Sequence, residues 1–120
     1  MKIAISSREK TPNSFLDERF GRAPHFIIYD LEKDSYHSID NAQNLNSAQG
    51  AGIQSAQTVA NAGAKVLITG NVGPKAFQVL EKAGVDIYLA KATTVKEAIN
   101  DYKAGKLPKT TTNNVEGHWM

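Results

Sequence analysis

Residues 65–69 read KVLIT, a run of apolar and β-branched residues that does not alternate with polar ones. A strand with that pattern is covered on both faces, as in parallel sheets whose crossovers place helices on either side. The next twenty residues agree with this. GNVGP at 70–74 is turn chemistry, and residues 74–83 carry Ala76, Phe77, Leu80 and Ala83 at helical spacing before Gly84 stops the run. DIYLA at 86–90 is the next strand. A strand, a helix and a second strand in this order form a right-handed crossover with parallel strands.

The same pattern extends in both directions. Residues 50–62 read as a helix with Ile53, Ala56, Val59 and Ala60 on one side and Gly63 as its stop. Residues 94–103 read as a helix opened by a Thr94–Glu97 capping box, with Val95, Ala98, Ile99 and Tyr102 on one face. KIAIS at 2–6 is a buried strand, and HFIIYD at 25–30 and YHSID at 36–40 form an antiparallel hairpin about a polar turn. Residues 7–24 are a long polar connection, with a short turn expected near 14–17. The order β-β-β-α-β-α-β-α predicts a three-layer α/β domain with a mixed five-stranded sheet in the order 3-2-1-4-5 and strand 2 antiparallel to strand 1. This is the ribonuclease-H-like arrangement. One domain is expected over residues 1–107, and residues 108–120, which lose the apolar period, are expected to be a flexible tail. The end of that tail, Gly-His-Trp-Met, is unusual for a solvated segment.

Several functions are excluded early. The chain has no cysteine, so thiolate ligation of zinc or of an iron–sulfur cluster is closed to it. A net charge of +2, with both signs interspersed, does not suggest nucleic acid. The apolar run at the N-terminus is too short for a signal peptide or a membrane span, which suggests a cytoplasmic protein, and a monomer is expected rather than an oligomer. Two-metal nuclease chemistry needs clustered carboxylates, yet neither the first strand nor the first helix has one. No nucleophile–base constellation is evident, so an enzyme is not expected.

In open α/β sheets, ligands gather beyond the carboxyl ends of the strands where the strand order switches. Here that edge collects Ser6 and Ser7, the glycines at 50 and 52, and Gly70, Asn71 and Gly73. Glycine there is read in two ways: a tight turn, or a backbone that something bulky must approach. Arg19 and Arg22 flank the Phe20-Gly21 pair just before the second strand, and arginine suits polyanionic partners. His25, His37 and His118 show no metal-ligand spacing; His25 and His37 are expected to come near each other across the hairpin, and His118, beside Trp119, is the one considered as a ligand.

RFGRAPHFIIYD, NSAQGAGIQSAQ and VLITGNVGPKAF, in that order, resemble the dinitrogenase iron–molybdenum cofactor biosynthesis family, the group related to NifX and the C-terminal domain of NifB. The resemblance covers about residues 1–107. It implies carriage rather than catalysis: a non-catalytic carrier or scaffold for an anionic iron–sulfur or iron–molybdenum cofactor or precursor, working between cluster donor and acceptor proteins. Matched by position, the holding residues are Arg19, Gly21, Arg22, Gly50, Gly52, Gly70, Asn71 and Gly73. Nitrogenase-associated members often carry His before the Phe-Gly pair; Arg19 in its place favours electrostatic holding over ligation. Two rivals stand beside this reading, a protein-docking domain without cofactor and an enzyme acting on a phosphorylated small molecule.

Overall fold

A computed structural model describes residues 1–41 and 51–111. Its elements in chain order are β1 (Lys2–Ser7), a 3-10 turn (Phe20–Arg22), β2 (His25–Asp30), β3 (Ser35–Asp40), α1 (Ala51–Asn61), β4 (Ala64–Thr69), α2 (Pro74–Lys82), β5 (Asp86–Leu89), α3 (Val95–Lys103) and β6 (Lys109–Thr110). The sheet runs β3-β2-β1-β4-β5-β6. β1 pairs antiparallel with β2 and parallel with β4, and β4 pairs parallel with β5.

The alternation of side chains explains the three layers. Ala4, Phe26, Ile28, Leu67 and Ile87 point to one face, where Ala56 and Val59 of α1 and Ala76 and Leu80 of α2 cover them. Ile3, Ile5, Ile27, Val66 and Ile68 point to the other, beneath Val95, Ala98 and Ile99 of α3. Each fully buried aliphatic side chain contributes about 1.5–3 kcal/mol, so both faces are needed to hold the sheet. α1 and α2 are followed by Gly63 and Gly84 at φ +81 and +75, left-handed backbone that glycine adopts without strain. α3 opens on the expected capping box: Thr94 Oγ1 accepts the Glu97 N–H at 3.2 Å, and Glu97 Oε1 accepts the Thr94 N–H at 3.3 Å. No helix among the described residues is long and apolar enough to cross a membrane.

The sheet has six strands where the sequence suggests five. β6 lies antiparallel to β5 within the stretch read as tail. It is held by the backbone, with the Leu89 N–H donating to Pro108 O at 3.0 Å, and by a Lys109–Asp86 ion pair of 3.3 Å. Two residues held in this way carry no hydrophobic period for a sequence reading to detect.

At the end of the sheet away from the carboxyl termini of β1 and β4, Lys103 Nζ donates to Tyr29 Oη at 2.7 Å and Tyr29 Oη donates to Asp34 Oδ1 at 2.7 Å. The Tyr29 bond raises the Lys103 pKa, and burial raises those of Tyr36 and Tyr102. In all three the folded chain holds the proton to higher pH than the unfolded chain. Their contribution to stability is therefore complete below the ordinary tyrosine value of 10.0 and is lost as pH rises through the folded values. The melting temperature should fall on alkaline titration above that point, and the Tyr36→Phe, Tyr102→Phe pair should blunt the fall. A melting temperature indifferent to alkali would refute this account.

Candidate functional site

Residues 16–20 cross the carboxyl end of the sheet from one face to the other. Leu16 packs among the residues beneath α3, and Phe20 packs among those beneath α1 and α2. The crossing is pinned at every step. The Leu16 N–H donates to Thr93 O (2.9 Å), the Asp17 N–H to Ser6 O (2.9 Å) and the Phe20 N–H to Asn71 O (3.4 Å). Asn71 Nδ2 donates to Glu18 O at 3.1 Å, and Glu18 Oε2 accepts the Ala92 N–H at 3.0 Å. Beneath them the buried Ser6 hydroxyl bonds Asp17 O and lies 2.8 Å from Thr69 Oγ1.

This crossing gives Gly70 a structural reason. A Cβ there would stand 2.5 Å from Glu18 Cβ, 2.7 Å from its Cα and 2.8 Å from its carbonyl oxygen. At Gly70 it is the chain itself that approaches the backbone.

Arg19 is also engaged. Its Nε lies 3.3 Å from Asp17 Oδ1 and its Nη2 3.3 Å from Oδ2, while its N–H donates to Oδ1 at 3.0 Å. The Asp17 side chain is 3% exposed and that of Arg19 is 69% exposed. The hydrogen bond to Asp17, and then its charge, raise the Arg19 pKa, so the guanidinium faces solvent charged and fixed in place. Sequence reasoning misses Asp17. The signal present is an Asp two residues before Arg19 in a tight loop, where such side chains accept the N–H two positions on. Arg22, by contrast, is exposed, and no hydrogen bond or ion pair holds its guanidinium within the described residues.

Gly21, Gly52 and Gly73 come together. With Phe20, Ile53, Pro74, Lys75 and Ala76 they line a cleft of about 310 Å³ where the first turns of α1 and α2 meet. Gly21 rests on α1: a Cβ there would come within 3.2 Å of Gly52 Cα and N. Gly73 caps α2 without a side-chain bond, and Pro74 brings no N–H. Neither helix has an acidic residue in its first turn. Orphan N–H groups and the helix dipole therefore give this cleft a positive character that no first-turn carboxylate cancels. α3, which opens elsewhere, has both a capping box and Glu97.

Gly70 and Asn71 belong instead to a second cleft of about 560 Å³, lined also by Glu18, Leu89, Ala90, Lys91 and Pro108. Gly50 and His118 lie outside the described residues. The two strand histidines do not meet: His25 sits opposite Asp40, 3.1 Å from its carboxylate, and His37 sits opposite Ile28. The hairpin register sets both. Among the described residues no group of three or more His, Asp or Glu could hold a metal ion.

Comparison with known proteins gives a consistent result. An uncharacterized protein of Methanocaldococcus jannaschii is 35% identical over 111 residues, 91% of each chain. The apo form of the orange protein from Desulfovibrio gigas superposes with a TM-score of 0.91 at 36% identity, covering 95% of this chain and 96% of that one. The solution structure of a candidate NifB protein from Thermotoga superposes with a TM-score of 0.83 at 38% identity, covering 97% and 98%. Residues 1–105 match the dinitrogenase iron–molybdenum cofactor family. With that match over most of its length, the chain belongs to the dinitrogenase iron–molybdenum cofactor family.

Proposed function

We propose that this protein is a non-catalytic carrier or scaffold that holds an anionic metal–sulfur cofactor, or its precursor, at the cleft between the first turns of α1 and α2. The observation that carries the reading is the meeting of two acid-free helix N-termini at glycines 21, 52 and 73. The sulfides on the surface of a cluster accept hydrogen bonds, and its negative charge suits helix N-termini and the exposed Arg22. A chain without cysteine would hold such cargo by charge and backbone donors and release it without breaking a thiolate bond. Membership of a cofactor family and likeness to a protein known in an apo form support a loaded state. Donor and acceptor proteins in the cytoplasm would be the partners, with the chain acting as a monomer. Arg19, held by Asp17, would offer the cargo a second cation.

The test is anaerobic incubation with ferrous iron and sulfide, with and without molybdate, then desalting, metal analysis and visible absorption. Retained metal with sulfide-to-metal absorption is expected, and Gly73→Val, which places a branched side chain at the helix entrance, should abolish retention. A folded chain that retains no metal under either condition would remove the carrier reading and leave the docking domain.

A further inference from the structure

Phe15 is the most exposed large apolar side chain among the described residues, 59% open to solvent, yet its backbone is firmly held. The Arg8 N–H donates to Phe15 O at 3.1 Å, the Leu16 N–H to Thr93 O at 2.9 Å and the Val95 N–H to Ser14 O at 2.9 Å. Residues 14–16 are therefore the middle strand of a short ribbon, with Ser7 opposite Leu16 on one side and Thr94 opposite Phe15 on the other. Leu16 turns inward beneath α3, and the alternation of a strand turns Phe15 outward. We propose that this ledge docks a partner protein through an acidic segment that also carries an apolar side chain for Phe15.

Charge selects the acidic partner. Arg8 and Lys10 line an open cleft of about 370 Å³ with Glu9, Thr11 and His25. Lys96 stands on the other side of the ribbon, its N–H fixed on Pro12 O at 2.9 Å. All three cations are exposed, and none of them forms an ion pair among the described residues. Of the carboxylates close to them, Glu97 is taken up by the Thr94 cap and Asp40 by His25 at 3.1 Å, which leaves Glu9. The cations disfavour basic partners and speed the approach of acidic ones.

The aromatic gives such a partner an anchor. Aromatic and arginine side chains are the types that most often dominate an interface, and here Arg8 and Phe15 are bonded neighbours. Because the ribbon already fixes their backbone, docking costs little ordering entropy.

Position connects the ledge to the cargo cleft. Residues 16–20 run from one to the other, and Phe20 lines the cleft. The five steps from Phe15 to Phe20 span no more than about 18 Å even when fully extended. Under the carrier reading, on which this step alone rests, the docked partner is the cluster donor or acceptor, held within reach of the cleft.

Docking needs no cargo, so it is tested on the unloaded full-length protein. The probe is a capped synthetic peptide, Glu-Glu-Leu-Phe-Glu-Glu, titrated to millimolar concentration while backbone amide NMR shifts are followed. The amides of Arg8, Phe15 and Thr94 should shift together. Binding should weaken by about tenfold or more in Phe15→Ser and in the Arg8→Glu, Lys10→Glu double variant. These changes touch exposed side chains only, so melting and metal retention should match the parent protein. A peptide with Ser-Ser in place of Leu-Phe should bind more weakly, and one with Lys in place of Glu should not bind. Absence of any shift at the ledge overturns the proposal, as does equal binding by the variants or by the Ser-Ser peptide. Shifts confined to Gly21, Gly52 and Gly73 also overturn it, because the peptide then enters the cargo cleft as an anion. A chain that binds the peptide at the ledge but retains no metal keeps the docking surface and loses the carrier.

Discussion

Gly70→Ala is expected to destabilise the protein by about 2–3 kcal/mol, since overpacking against atoms that cannot move aside typically costs this much. For a chain of this size that is roughly a 10 °C drop in melting temperature. The atoms a new methyl group would meet include the Cα and carbonyl oxygen of Glu18 at 2.7 and 2.8 Å, not the end of a flexible side chain. Relief requires residues 17–19 to lift from the sheet. That would strain the Asn71–Glu18 bond, the Asp17–Ser6 bond and the Phe20–Asn71 bond together. Gly52→Ala is the matched control, because its Cβ would lie 3.4 Å from Ala76 Cβ, an ordinary contact. That change should leave stability within about 0.5 kcal/mol. If Gly70→Ala melts with the parent protein, the crossing segment does not press on the Gly70 backbone, and a ligand rather than the chain is the reason for glycine there.

The two glycines of GNVGP show what a sequence can and cannot tell. Their presence after residues 65–69 announces a tight strand-to-helix join, and α2 begins at Pro74 as that spacing implies. Which glycine serves packing and which opens on a cleft depends on residues 16–20, at least 50 positions earlier and without period. Long-range contact of that kind leaves no local signal. The helices show the same limit in a milder form. The apolar spacing places α1 to within a residue at each end, yet its buried side includes Ala51 and Ser55, with Ile53 and Ala60 only half buried. Ser55 is buried without penalty because its hydroxyl has two acceptors within reach, Asn41 Oδ1 at 3.0 Å and Ala51 O at 2.9 Å. Asp17 and β6 escape a sequence reading for a related reason: each is fixed by hydrogen bonds and an ion pair, which hydrophobic patterning does not report.

Arg22→Ala and Arg19→Ala should separate holding cargo from holding the loop. Under the carrier reading Arg22 contributes a charge-assisted contact and nothing to the fold. Its loss should weaken cargo binding by about 1.5–3 kcal/mol, roughly ten- to over a hundredfold, with the melting curve unmoved. Arg19→Ala acts twice. It removes a fixed cation and leaves the buried Asp17 carboxylate, among the described residues, with only the residue-19 N–H. The guanidinium is 69% exposed and screened, so the stability loss should be near 1 kcal/mol, smaller than a fully buried pair would give. Adding Asp17→Asn to Arg19→Ala removes the stranded charge. Stability should then recover, because the two residues form one interacting pair, and cargo affinity should not. Calorimetric melting beside metal retention, measured for each variant, gives both readouts. A double arginine variant that takes up its cargo at full affinity would show that the cations are dispensable. Holding would then fall to the helix N-termini at Gly52 and Gly73, where Gly73→Val remains the decisive substitution.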